Sequence, residues 1–106
     1  MSLVSKLKHR ITLLQLSNDV DEAGQPLETW QTVSQLWGFI QPLRGRELFA
    51  AQQTHSEVTT RITVRYRDEV DTSMIVRYQG TEFEILYIIH TDYAKRELQI
   101  MCRERQ

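Results

Sequence analysis

From Glu57 to Arg67 the chain alternates without a break. Val58, Thr60, Ile62, Val64 and Tyr66 take one parity, and Glu57, Thr59, Arg61, Thr63, Arg65 and Arg67 take the other. A period of two belongs to a strand, because successive side chains leave a pleated backbone on opposite faces. One apolar face and one charged face describe a half-buried antiparallel strand; a parallel strand covered on both sides would read as a continuous apolar run. Such a strand needs partners to bury that face and to pair its backbone groups.

The rest of the sequence supplies them. His9 to Leu16 reads as a first strand with Ile11 and Leu13 on one face. Thr29 to Gln41 reads as a long second strand, in which Leu36, Gly38 and Ile40 alternate with Trp37 and Phe39, so that both faces are expected to be covered. A glycine inside a strand points to a bulge, a bend or a close approach by another backbone. Ser73 to Tyr78, Thr81 to His90 and Arg96 to Arg103 read as three further strands. Gln79-Gly80 is a two-residue hairpin turn between the first two of these. In the fifth strand, Phe83, Ile85, Tyr87 and Ile89 are predicted on one side and Leu86 and Ile88 on the other. One segment departs from this pattern. Leu43 to Gln53, just after Pro42, lacks β-branched residues and predicts a helix of about two turns, packed through Leu48 with either Phe49 or Ala51. Six strands and one helix predict a mainly β fold: a small antiparallel β-barrel with one short α-helix and long loops, whose closure removes the exposed edges.

At 106 residues the chain reads as a single domain, 1–106. Thirteen basic and fourteen acidic side chains give a net charge of −1, which argues against a general nucleic-acid binder. Charge is local instead. Asp19, Asp21, Glu22 and Glu28 make residues 17–37 acidic without one basic residue, while Arg61, Arg65 and Arg67 form a compact basic row. No apolar run approaches a membrane span, and the basic start of the chain has no apolar core behind it, so no membrane partner or signal peptide is expected. The composition reads as that of a soluble intracellular domain in a reducing compartment.

The residues do not assemble a catalyst. His9, His55 and His90 fall on separate elements, and the lone Cys102 shares a face with Leu98 and Ile100, as a small buried hydrophobe would. No phosphate loop, dinucleotide glycine motif or nucleophile elbow is present. Asp19, Asp21 and Glu22 lack the terminal glutamate of a calcium loop. No metal site, cofactor or catalytic residue is expected. Two features stay open between a structural and a binding role. The arginine row either meets phosphates or pairs with carboxylates such as Glu82, Glu84 and Glu97 on neighbouring strands or subunits. Arg44-Gly45-Arg46-Glu47 is either a solvated helix start or a docking loop.

The order of short motifs resembles the bacteriophage head–tail joining proteins, the small head-closure or stopper family. Leu7-Lys8-His9-Arg10-Ile11-Thr12-Leu13 is similar to the family's opening Leu-x-x-Arg-Ile strand. Asp21-Glu22-Ala23-Gly24 followed by Trp30 resembles its Asp-x-x-Gly…Trp loop. Val33-Ser34-Gln35-Leu36-Trp37-Gly38-Phe39-Ile40-Gln41-Pro42-Leu43-Arg44-Gly45-Arg46-Glu47 resembles its Val-Trp-Ala-x-Ile-x-Pro-Leu-x-Gly-x-Glu stretch, with Gly38 where the pattern places alanine. Arg61 to Tyr66, the Tyr78-Gln79-Gly80 turn and Leu98 to Glu104 follow in family order, so the resemblance runs from about Leu3 to Glu104.

The resemblance implies a structural virion protein of the phage neck and no enzyme activity. Its implied partners are its own copies in a ring, twelve-fold by the resemblance, the portal or adaptor protein above, a tail-side neck protein below, and double-stranded DNA that passes without sequence recognition. It implies assembly in the host bacterial cytoplasm and a final place in the virion. On this reading Arg44, Arg46, Glu47 and Phe49 are expected to bind a partner. Asp19, Asp21, Glu22 and Glu28 would face the DNA channel and repel phosphate, and Arg61, Arg65 and Arg67 would serve an intersubunit contact. The alternatives are a related neck or tail-completion protein, a small OB-like nucleic-acid-binding barrel and, more distantly, a small hydrolase.

Overall fold

The computed structural model describes residues 7–17, 19–25, 29–90 and 96–105. Six strands run β1 His9–Leu16, β2 Trp30–Pro42, β3 Thr60–Arg65, β4 Ile75–Tyr78, β5 Thr81–His90 and β6 Glu97–Glu104, and helix α1, Gly45–Thr54, joins β2 to β3. All pairings are antiparallel, in the order β1-β2-β3-β6-β5-β4, and β4 returns to β1 to close a barrel. The expected fold class is therefore the observed one. β1 and β5 have the predicted bounds, and β2 is displaced by one residue. β3 is shorter than its alternation, although Thr59 N–H still donates to the Cys102 carbonyl and Tyr66 N–H to the Arg96 carbonyl beyond its ends. The turn predicted over Thr91 to Lys95 lies outside the described residues.

Alternation fills the barrel. Ile11 and Leu13, Leu36, Ile62 and Val64, Val76, Phe83 and Ile85, and Leu98, Ile100 and Cys102 form one buried cluster. Gly38 is the narrow point. A Cβ there would stand 3.2 Å from Ile11 Cδ1, 3.3 Å from the Thr63 carbonyl oxygen and 3.3 Å from Val64 Cγ1, so the β3 backbone and two core side chains come so close that an alanine would force them to shift by a few tenths of an ångström. Of the readings open for this glycine, the close approach is the one observed.

Two β-bulges break the period and correct the sequence reading. In β5 the register slips between Ile85 and Tyr87: Ile85 faces Cys102, but Tyr87 faces Met101 and Ile88 faces Ile100. The extra residue flips the parity. Ile88 joins the barrel core, whereas Leu86 and Tyr87 pack outside it, and Ile89 is left exposed. A second slip falls between Leu13 and Leu14 of β1, where strong coiling is needed to meet both β2 and β4.

Outside the barrel lies a second, smaller cluster. Leu43, Ala51, Val58 and Met101 are buried there, with Leu48, Leu86 and Tyr87 against them. α1 covers this patch. Of the two predicted helix faces, the structure selects Leu48 with Ala51, and Phe49 points away. Gln52 Nε2 donates to the Val58 carbonyl at 3.0 Å and Tyr87 Oη donates to the Ala51 carbonyl at 3.4 Å, which holds the helix down at its C-terminal end. Val58, expected on the face of Ile62, belongs to this outer cluster because it precedes β3.

Candidate interaction surfaces

The histidines and the cysteine are occupied by structure. His9 Nδ1 accepts the Ile40 N–H at 3.1 Å, His55 Nδ1 accepts the Glu57 N–H at 3.4 Å, and His90 lies against Tyr66. Cys102 is fully buried, its thiol aimed at the Thr60 carbonyl 3.5 Å away, and burial pushes its pKa up to about 12. A thiol held protonated at neutral pH is no nucleophile. Among the described residues, no three metal-ligating side chains gather. What the molecule offers is surface.

The first surface is the outer side of α1. Arg44 has an extended backbone and no side-chain cap, and Gly45 follows at φ +56°, a left-handed conformation that glycine takes freely. That turn projects Arg44 and Arg46 beside the helix start. Glu47, also exposed, reaches toward the barrel: its carboxylate meets Arg61 at 3.5 Å, tying the helix to β3. Phe49 is 69% exposed, the most exposed large apolar side chain described. An aromatic ring in water flanked by exposed arginines has the composition of an interface anchor.

The basic row is not uniform. Arg61 is half-buried, with Nε and Nη2 on Gln41 Oε1 at 3.3 and 3.1 Å besides its contact with Glu47. Arg67 lies beyond β3 and meets Glu69 at 2.6 Å. Arg65 is exposed, opposite Glu97 in the β3–β6 register. Glu82 and Glu84, expected as partners of this row, are taken elsewhere. β6 separates β5 from β3, so these carboxylates meet Arg77, Arg103 and Arg105 at 2.6 to 3.8 Å, and Arg103 also meets Glu57 at 2.6 Å. The resulting network lines a groove of about 590 Å³ in which the charges largely satisfy one another.

The acidic loop divides as well. Asp21 Oδ1 accepts the N–H groups of Ala23 and Gln25, both at 2.9 Å, and the loop closes on itself through Asp21 N–H to the Gln25 carbonyl. That carboxylate holds a turn. Asp19 and Glu22 are exposed beside it, as is Val20, and Glu28 lies outside the described residues.

One surface was not anticipated. Trp37, expected to be covered, is 52% exposed on the outside of β2, with the Arg10 guanidinium 5.2 Å from its ring centroid. Gln35, Arg65 and Arg67 complete a groove of about 210 Å³ around it. The alternation of β2 places Trp37 outward, but its pairing with Arg10 depends on the β1–β2 register, which the extra residue Val33 of β2 shifts.

The profile of the phage head completion protein family matches residues 3–105. The head completion protein gp7 of Enterobacteria phage HK97 is 22% identical over 103 residues, covering 92% of each chain. The solution structure of protein SF1141 from Shigella flexneri 2a superposes with a TM-score of 0.78 at 26% identity, covering 97% of this chain and 96% of that one. A chain of the virion of the native gene transfer agent particle superposes at 0.61 and 18% identity, covering 93% and 96%. The barrel is matched along nearly its whole length, and the chain belongs to the phage head completion protein family, whose members are structural virion components and not enzymes.

Proposed function

We propose that this protein closes the DNA-filled head by binding beneath the portal or its adaptor, as a ring of copies, and offers the lower surface to which the tail attaches. Double-stranded DNA passes the ring without being read. The observation that carries the docking part of this reading is the outer face of α1, where Phe49 stands 69% exposed beside Arg44 and Arg46. A lone aromatic side chain held in water by a helix already anchored on its other face is ready to fill a pocket in a partner without further ordering of the chain. Arg44 and Arg46 supply the polar rim, and Glu47 serves the fold through Arg61.

The test is complementation of the encoding phage or prophage by a Phe49→Ser variant. Phe49 contributes little to the core, so the variant should melt within about 2–4 °C of the parent, as surface substitutions do. Its yield of joined particles should fall at least about ten-fold, the scale of one interface hot spot. Normal yield from a variant that melts like the parent removes α1 as the docking face.

A further inference from the structure

We propose that the tip of the β1–β2 hairpin in one copy docks in the Arg10–Trp37–Arg65 groove of a second copy of this chain. The groove carries positive charge around an exposed ring. Arg10 lies over Trp37 and Arg65 is exposed on the next strand, while Arg67 beside them is paired with Glu69. The hairpin tip is its complement. Val20 is 58% exposed, and Asp19 before it and Glu22 within the turn that Asp21 closes both stand in water. One apolar side chain between carboxylates suits one aromatic ring between guanidiniums, and the groove, at about 210 Å³, takes a side chain of valine size.

The occupant comes from another copy because the hairpin separates the two patches. Trp30, where the strand leaves the loop, and Trp37 are seven residues apart on β2, about 23 Å along an extended backbone. Ser17 N–H to the Thr29 carbonyl extends the ladder past Trp30 and carries the tip farther from the groove. Two different patches of one chain that fit each other make a head-to-tail contact, which closes into a ring or runs on as a filament according to the rotation per copy. This assigns Asp19 and Glu22 to a subunit contact, where their charge alone also suits a channel wall. Exposed pairs are individually weak and screened by salt, so the contact should form at high local concentration and fade as ionic strength rises.

The test needs no phage, and its failure leaves the neck role standing. A Val20→Cys/Gln35→Cys double variant is oxidised at high protein concentration and low salt. Cys102 stays silent because it is buried. The expected product is a covalent ladder of dimers, trimers and larger species, absent from either single variant, since the two cysteines of one chain lie too far apart to bridge. Added to this background, Glu22→Arg or Arg65→Glu should each lower the ladder yield at least about five-fold, and the two reversals together should restore it. No ladder overturns the proposal. So does a ladder indifferent to both reversals, or a monomer that instead binds single-stranded oligothymidine and loses that binding in Trp37→Ala.

Discussion

Replacing Gly38 by alanine tests how tightly the barrel closes. The new Cβ would sit 3.2 Å from Ile11 Cδ1, 3.3 Å from Val64 Cγ1 and 3.3 Å from the Thr63 carbonyl oxygen, where carbon contacts are comfortable at about 3.5–4.0 Å. Ile11 and Val64 are fully buried, so neither can swing into solvent, and the third atom is backbone. Overpacking of this kind costs about 1–3 kcal/mol. Against it stands the reduced freedom of the unfolded chain, which favours alanine by about 0.4–1 kcal/mol. The crowding wins, and Gly38→Ala should destabilise by about 1–2 kcal/mol, or roughly 5–15 °C in Tm for a domain of this size. Urea unfolding followed by fluorescence of Trp30 and Trp37 measures it. Ile11→Val removes the nearest atom, at a cost of about 0.5–1.5 kcal/mol alone. In the double variant the two penalties should fall short of their sum by at least about 0.5 kcal/mol. A Gly38→Ala protein as stable as the parent, or a strictly additive cycle, would refute the close approach.

Other consequences are simpler to check. Cys102 keeps its proton to about pH 12 in the fold against 9.0 in the unfolded chain. Its stabilising contribution is therefore complete below pH 9 and is lost as pH rises from 9 toward 12, with a slope of at most about 1.4 kcal/mol per pH unit. A Cys102→Ala variant should lack that slope, and equal slopes in urea titrations at pH 9 to 11 would contradict the burial. Gln79 adopts φ +48° in the turn between β4 and β5, a conformation asparagine tolerates better, so Gln79→Asn should raise stability by about 0.5 kcal/mol in the same titrations. Ile100→Ala empties a fully buried position that faces Ile62 and Ile88 and should cost about 2–5 kcal/mol, enough to populate unfolded chains in mild denaturant.

The fold was legible where one physical rule acted alone. Strict alternation located β3, and β5 ended where its apolar pattern ended, because half-buried strands leave that trace locally. The bulges were not legible. The slip between Ile85 and Tyr87 follows from barrel curvature, a property of six strands together, and its effect was to move Tyr87 from the expected core to a place beneath α1. A two-turn helix offers too few residues to rank Phe49 against Ala51, so the exposed ring on α1 emerged only from the packing. Ion pairing failed for a topological reason. Glu82 and Glu84 matched the arginine row in charge, but strand order put β6 between them. The Trp37 groove stayed hidden because it needs three strands in register, and one of those registers contains a bulge.

The central claim is that this chain completes the head, and deletion of its gene from the encoding phage or prophage tests that most directly. Electron microscopy of the lysates should show free tails beside heads that are empty or leaking DNA, with joined particles restored when the gene is supplied in trans. Intact, joined particles in the deletion strain would contradict it.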